Sequence, residues 1–417
     1  MSNAASSPTP TTSRNILKLR YRFLFAALAG LLTYPLFPRL GVWVLVFPIV
    51  ALLYLAVKGL KFWRATAVGF VGGIFFYVSH IYWISQYLGP EPLIALAALQ
   101  AFFFALGLGL AGWASIRLDS LLSGRKAIFA QALLFAMIWT AREHISTHYP
   151  YGGFPWSRLA MSQSDSILGN WVFWGGMPLL SFVIALATVL ILEFLHFESR
   201  RVGALAALGV AVALVFPAGL APLSNNAEKG FITIASVQGN ANAGLFSNND
   251  SGTFLNHHLE AARTFLASKE DFDVMVWPEN AVDVDVLHNA GERALMTDFV
   301  NNEVKKPLIF GTITFRDGKL YNSSILWLPE AENVDWYDKK RPVPFAEYVP
   351  DRAFWEKISP LVNLIQVGYS FGDRDGNFEV EKGNLGTLIC FEIAMLRVSL
   401  GGAVSGASVF RHGPDFH

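Results

Sequence analysis

Leu93-Ile-Ala-Leu-Ala-Ala-Leu-Gln-Ala-Phe-Phe-Phe-Ala-Leu-Gly-Leu-Gly-Leu-Ala-Gly-Trp-Ala-Ser-Ile116 runs for 24 residues without a charged side chain. As a helix it reaches roughly 35 Å, enough for the roughly 30 Å hydrocarbon layer of a bilayer. Working outward, similar runs occur at about 65–88, 41–57 and 22–38 before it, and at 127–145, 171–197 and 202–220 after it. Seven membrane crossings are predicted. The first two runs are short and separated only by Pro38-Arg39-Leu40, which suits a tight or tilted hairpin. The basic residues orient the set, because lysine and arginine in short loops favour the cytoplasm. Arg14, Lys18, Arg20, Arg22, Lys58, Lys61, Arg64, Arg117, Arg125, Lys126, Arg200 and Arg201 fall on one side, twelve in all; Arg39, Arg142 and Arg158 fall on the other. The N-terminus is therefore expected inside, and an odd number of crossings delivers whatever follows to the outside.

Composition agrees with a two-part chain. Only 15% of residues are charged and 53% are hydrophobic, whereas soluble proteins carry about a quarter charged residues. The apolar residues concentrate in 22–220, while 228–394 reads as an ordinary globular domain, with a seam near Pro217–Glu228. Residues 1–21, rich in Ser, Thr, Pro and Ala, read as a disordered cytoplasmic segment. No small-residue cleavage site follows the first apolar block, so that block is expected to remain as an anchor. The zero formal net charge gives no nucleic-acid footprint. Cys390 is the single cysteine, which excludes an intramolecular disulfide and a CxxC metal cage.

Polar residues interrupt the apolar half at His80, Gln86, Gln100 and Arg142-Glu143-His144. Ionisable groups within a bilayer are expensive and often functional. The last three, however, end a predicted helix, where long side chains are expected to snorkel to the interface. Tyr149-Pro-Tyr-Gly-Gly-Phe-Pro-Trp156 reads either as an interfacial aromatic belt or as the lining of a lipid entrance.

In the globular half, strands are predicted at Phe231–Val237, Asp273–Trp277, Leu308–Thr314, Asn322–Leu328, Val334–Asp338, Phe378–Glu381 and Gly386–Cys390. Helices are predicted at Phe254–Ser268 and Glu292–Val304. Strands mixed with helices point to an α/β or α+β domain with a helix-covered sheet. Trp277-Pro278-Glu279-Asn280 places a carboxylate just past a buried strand. Gly386-Thr-Leu-Ile-Cys390-Phe391-Glu392 places the thiol at the end of another, with a carboxylate two residues on. A thiol becomes a strong nucleophile once a base removes its proton, and a carboxylate raised by burial can be that base. One cation of the run Lys339-Lys340-Arg341 would then stabilise an oxyanion. Taken singly, each has a plainer reading: a core cysteine, a strand-ending glutamate, a solvated basic loop.

Taken in order, Trp-Pro-Glu, Tyr337-Asp-Lys with Pro344-Phe-Ala-Glu347 downstream, and Cys-Phe-Glu resemble the nitrilase, or carbon–nitrogen hydrolase, superfamily. With a multi-helix region before them, and with Tyr82-Trp-Ile-Ser85, Gly153-Phe-Pro-Trp156 and Val237-Gln-Gly-Asn240, they resemble the apolipoprotein N-acyltransferase family. The resemblance spans about residues 20–394. It implies an αββα sandwich on the outer, periplasmic face of a bacterial cytoplasmic membrane, with Cys390 as nucleophile and Glu279 as general base. Lys339 is the implied catalytic lysine, eight residues before Glu347. Glu347 and Glu392 are implied as supporting site carboxylates. The implied reaction moves an acyl chain from a phosphatidylethanolamine-like phospholipid through a Cys390 thioester to the α-amine of an S-diacylglyceryl cysteine on a lipoprotein. It needs no metal or cofactor.

Beyond Ala394 the family pattern is lost. Met395-Leu-Arg-Val-Ser-Leu-Gly-Gly leads to His417 with neither the expected strands nor a spanning helix. The expectation is therefore an aberrant tail over 395–417, from a frameshift or truncation, and a chain whose activity is lost. Two other readings stay open: a membrane-tethered amidase, in which water resolves the thioester, and a non-enzymic degenerate membrane protein. A transporter is disfavoured, since no paired Gly/Pro-broken helices suggest inverted repeats.

Overall fold

A computed structural model of the chain describes residues 17–37, 40–85, 89–197, 199–223, 230–241 and 250–395. The segment before residue 17, Gln86 and the tail from 396 onward lie outside the described residues. The chain divides into two compact units, Met1–Ser224 and Asn225–His417.

The first unit is helical, with principal helices Leu19–Leu31, Val46–Val57, Phe62–Ile81, Pro90–Leu121, Gly124–Ser146, Val172–Leu195 and Arg200–Gly219. Among the described residues four helical stretches are long and apolar enough to cross a membrane: Phe62–Ile84, Pro90–Leu121, Ile167–Leu195 and Arg200–Gly219. The other three expected crossings fall on less regular elements. Leu19–Leu31 is short and is followed by a separate turn, Thr33–Leu36, that contains Pro35. Trp43–Val57 is apolar but short. Gly124–Ser146 is long yet carries Gln131, Arg142, Glu143 and His144.

Small residues set the packing, as expected where lipid offers no hydrophobic drive between helices. A Cβ on Gly73 would lie 2.9 Å from Ala101 Cα, and one on Gly69 2.9 Å from Leu108 Cβ, so Phe62–Ile81 and Pro90–Leu121 touch almost backbone to backbone. A Cβ on Gly30 would meet Phe76 N at 2.6 Å, which fixes Leu19–Leu31 on the same helix.

The polar residues of this unit correct one expectation. Arg142 and Glu143 do not snorkel; both are buried, and only His144 is exposed. The Arg142 guanidinium lies 4.2 Å from the Trp139 ring centroid and 4.6 Å from that of Phe104, and its Nη1 donates to Tyr77 Oη at 3.2 Å. Glu143 Oε1 accepts from Trp139 Nε1 at 2.8 Å and Leu159 N at 3.0 Å. Ring and amide donors hold Glu143 inward, and two aromatic faces with the Tyr77 hydroxyl hold Arg142. His80 stacks on Phe37 at 3.7 Å.

The second unit is built on one five-stranded sheet in the order β1 (Ile234–Ser236), β2 (Val274–Val276), β3 (Leu308–Arg316), β4 (Lys319–Trp327) and β5 (Asp335–Asp338). The first three strands are parallel, and β4 and β5 join antiparallel. Parallel neighbours need crossovers, which are supplied by helix Thr253–Ala267 and by Ala290–Asp298 running on into a π-helical turn, Phe299–Val304.

Alternate residues of each strand serve two different cores, as the two-residue period of a strand requires. Met275, Phe310, Ile325 and Trp327 join Leu259, Met296 and Phe299 on the helix side. Val274, Ile309, Leu326 and Tyr337 face Phe378, Leu385 and Ile389 on the other. That second face is covered by a hairpin of β6 (Asn377–Val380) and β7 (Gly383–Gly386). Both faces being buried explains why these strands read as continuous apolar runs. The strand expected at Gly386–Cys390 is not formed. The chain leaves the hairpin at Thr387, whose N–H goes to Gly376 O at 2.7 Å, and Cys390–Ala394 is a 3-10 turn. The Ile389 N–H that would serve a ladder is taken instead by Glu392 Oε2 at 2.9 Å.

Candidate active site

Glu279 follows β2 after Trp277 and Pro278. The buried Trp277 indole anchors the strand end between Phe299 and Phe310. The turn lies directly on β3, because residue 311 is glycine: a Cβ there would come within 2.6 Å of Glu279 Cα and 2.7 Å of Asn280 N. Gly311 N donates to Pro278 O at 3.1 Å, and Val282 N to Gly311 O at 3.1 Å, closing the turn.

Lys339 follows β5, and its N–H donates to Asn322 O of β4 at 2.8 Å. Its side chain is 1% exposed and ends between two carboxylates, with Nζ 3.3 Å from Glu279 Oε1 and 3.0 Å from Glu347 Oε1. Burial by itself would lower the ammonium pKa; Glu279, then Glu347, outweigh it and hold the group above its ordinary value. Glu347 is fixed through its other oxygen, which accepts from Val343 N at 2.6 Å. Asn322 completes the cluster: its Nδ2 donates to Glu279 Oε1 at 2.6 Å and to Glu347 Oε1 at 2.9 Å. The neighbouring Lys340 points elsewhere, to Asp375 at 2.7 Å. The two lysines, adjacent in sequence, are thus separated by geometry.

Cys390 opens the 3-10 turn with φ of 52°, a left-handed conformation uncommon outside glycine and asparagine. The residue is exposed. Partial enclosure of its sulfur is the largest influence on the thiol and pushes its pKa up. The Glu279 charge pushes the same way, while Lys339 and the Phe391 N–H act against them. The thiol is therefore protonated at neutral pH and needs a base before it can attack.

Glu392 is not part of the lysine cluster. It is fully buried and accepts from Tyr337 Oη at 2.9 Å, Lys340 N at 2.7 Å, Arg341 N at 3.1 Å and Ile389 N at 2.9 Å. Burial raises its pKa, although those four donors oppose the rise. Its bonds tie the thiol turn to the segment that carries Lys339. Among the described residues no three of His, Cys, Asp and Glu are grouped as metal ligands.

Sequence reasoning missed Asn322, Gly311 and the role of Tyr337. Asn322-Ser323-Ser324 is a polar triplet in a strand otherwise read as buried, and that was the available signal. Gly311 carried none beyond being a glycine inside a strand.

Residues 29–190 match the family model for the apolipoprotein N-acyltransferase N-terminal domain, and residues 233–410 that for carbon-nitrogen hydrolase. The chain is similar to the apolipoprotein N-acyltransferase of Pseudomonas aeruginosa strain LESB58, 30% identical over 390 residues, covering 89% of this chain and 73% of that protein. It is also similar to those of Pseudomonas putida, 29% identical over 387 residues (89% and 74%), and Mycolicibacterium smegmatis, 29% over 422 residues (91% and 67%).

Proposed function

This chain belongs to the apolipoprotein N-acyltransferase family, and on that premise we propose a two-step acyl transfer through Cys390. Glu279 takes the thiol proton, and the thiolate attacks the ester carbonyl of a phospholipid. The oxyanion gathers its charge against the Lys339 ammonium and the Phe391 N–H. The ester C–O bond breaks, Glu279 returns its proton to the departing alkoxide, and a lysophospholipid leaves a thioester on Cys390. The α-amine of a lipoprotein's S-diacylglyceryl cysteine then attacks the thioester and gives up a proton to Glu279. Collapse forms the amide and expels the thiolate, which regains that proton. Charge is balanced throughout without a cofactor, because exchange of ester for thioester calls for positioning more than for redox chemistry.

The observation that supports this reading best is the buried Lys339 held between Glu279 and Glu347 beside a single thiol that needs a base. Glu347 keeps the ammonium in place, and Glu392 holds the thiol turn. The helical unit supports a lipid donor, phosphatidylethanolamine-like in our reading, over a soluble amide, since an amidase would have no use for so many apolar helices. The basic-loop asymmetry supports seven crossings, a cytoplasmic N-terminus and a hydrolase-like domain on the outer face.

The test incubates the purified full chain with phosphatidylethanolamine bearing a tagged acyl chain, without acceptor. Hydroxylamine-labile label on the protein, absent in Cys390→Ala and Glu279→Gln, is the expected result. Release of free fatty acid without transfer to a lipopeptide amine would favour the hydrolase reading. Folded protein that never acquires label would remove the acyl-enzyme altogether.

A further inference from the structure

We infer that Asn322 is a positioning residue for acyl transfer, clamping one oxygen of Glu279 so that the other is left to move protons. Glu279 Oε1 and Glu347 Oε1 each accept from both Lys339 Nζ and Asn322 Nδ2, at 3.3, 3.0, 2.6 and 2.9 Å. Two donors and two acceptors thus alternate around a closed ring. Among the described residues Glu279 Oε2 takes no hydrogen bond, so the ring fixes the carboxylate by one end and leaves the other unoccupied.

The chemistry of the clamp explains why it is an amide. Glu279 and Glu347 face one ammonium, so a second donor is needed to keep them in register. A second cation there would neutralise the cluster and weaken the base that the reaction uses. An amide supplies two N–H groups and no net charge. Its orientation follows as well: turned over, Asn322 would set Oδ1 against two carboxylate oxygens. As placed, Oδ1 is buried and without a hydrogen-bond partner. A buried acceptor left unpaired is unfavourable, so the residue satisfies the two glutamates at the expense of itself. The backbone adds a second constraint, because Asn322 O accepts the Lys339 N–H. One residue of β4 therefore fixes groups delivered by β2 and β5.

This assignment rests on Cys390 being acylated with Glu279 as base, and the experiment separates the two. The full chain and its Asn322→Leu and Asn322→Asp variants are labelled with tagged phosphatidylethanolamine, and the rate at saturating donor and the half-saturating concentration are read per folded molecule. Leucine keeps the bulk and removes both donors; aspartate keeps the shape and adds a third carboxylate. The saturating rate is expected to fall about tenfold or more in the leucine variant. It should fall at least as far in the aspartate variant, with the half-saturating concentration within about twofold of wild type in both. A wild-type rate in either variant, or a change confined to half-saturation, overturns the assignment. So does failure of both variants to accumulate as folded protein, which would make Asn322 a fold-holding residue. An unlabelled wild type overturns the acyl-enzyme reading and this assignment with it.

Discussion

Replacing Glu392 by glutamine tests whether the thiol turn is held by a buried carboxylate. Glutamine retains one acceptor oxygen and exchanges the other for NH2. With its oxygen at the Oε1 position it still serves Lys340 N and Arg341 N. Those two bonds lose their charge assistance, about 0.5–1 kcal/mol each. The NH2 then confronts Ile389 N–H, which loses its acceptor at Oε2; a buried donor so stranded costs about 1–3 kcal/mol. Acting against this, the neutral amide escapes the desolvation that raises the Glu392 pKa. The net effect expected is about 2 kcal/mol of destabilisation, or roughly 5 °C in the midpoint of a domain of this size. Hydrogen exchange gives the sharper assay: in Glu392→Gln the amide of Ile389 should lose its protection and those of Lys340 and Arg341 part of theirs, while those of β3 and β4 keep it. Unchanged protection at those three amides would refute the account of the turn, whatever happened to activity.

Iodoacetamide alkylation of Cys390 reports its thiolate, so its half-maximal pH should lie above that of an ordinary cysteine. Glu279→Gln should move that midpoint down by removing a negative charge, and Lys339→Met should move it up; shifts of the opposite sign would refute the electrostatics. Gly311→Ala puts a methyl group into the Glu279 turn. It should cost about 1–3 kcal/mol by overpacking and abolish labelling, whereas wild-type labelling would show that the turn can move. In the helical unit, Glu143→Leu strands the buried Arg142 and should cost about 3–5 kcal/mol, and the Arg142→Leu/Glu143→Leu pair should recover much of it. Equal detergent-unfolding midpoints for the single and double variants would count against a buried pair.

Long-range structure was legible in the sequence where periodicity carried it. Leu93–Ile116 lies wholly within helix Pro90–Leu121, and the apolar runs at Leu308 and Asn322 are β3 and β4. Site elements were legible as motifs, each marking the end of a run. What escaped was anything decided by side-chain satisfaction. A helix-end triplet of charged residues looks alike whether it turns to the interface or inward. Tyr77, Phe104 and Leu159, brought close by packing, decide that Arg142 and Glu143 turn inward. Gly386–Cys390 has the composition of a strand, but the Glu392 carboxylate captures a backbone donor that a strand would use. Asn322 was hidden for the same reason: its partners are 43 and 25 residues away in the chain.

The hairpin that seals the second face of the sheet also leads into Cys390. The order of synthesis then has a chemical meaning. A growing chain exposes Glu279, Asn322, Lys339 and Glu347 in turn, and strands β1 to β5, which all precede Glu347, can pair before the thiol has been translated. The thiol is translated after them, just past the hairpin that closes the second core. On the proposed chemistry, a nascent polypeptide therefore holds its carboxylates and its lysine before it holds a nucleophile.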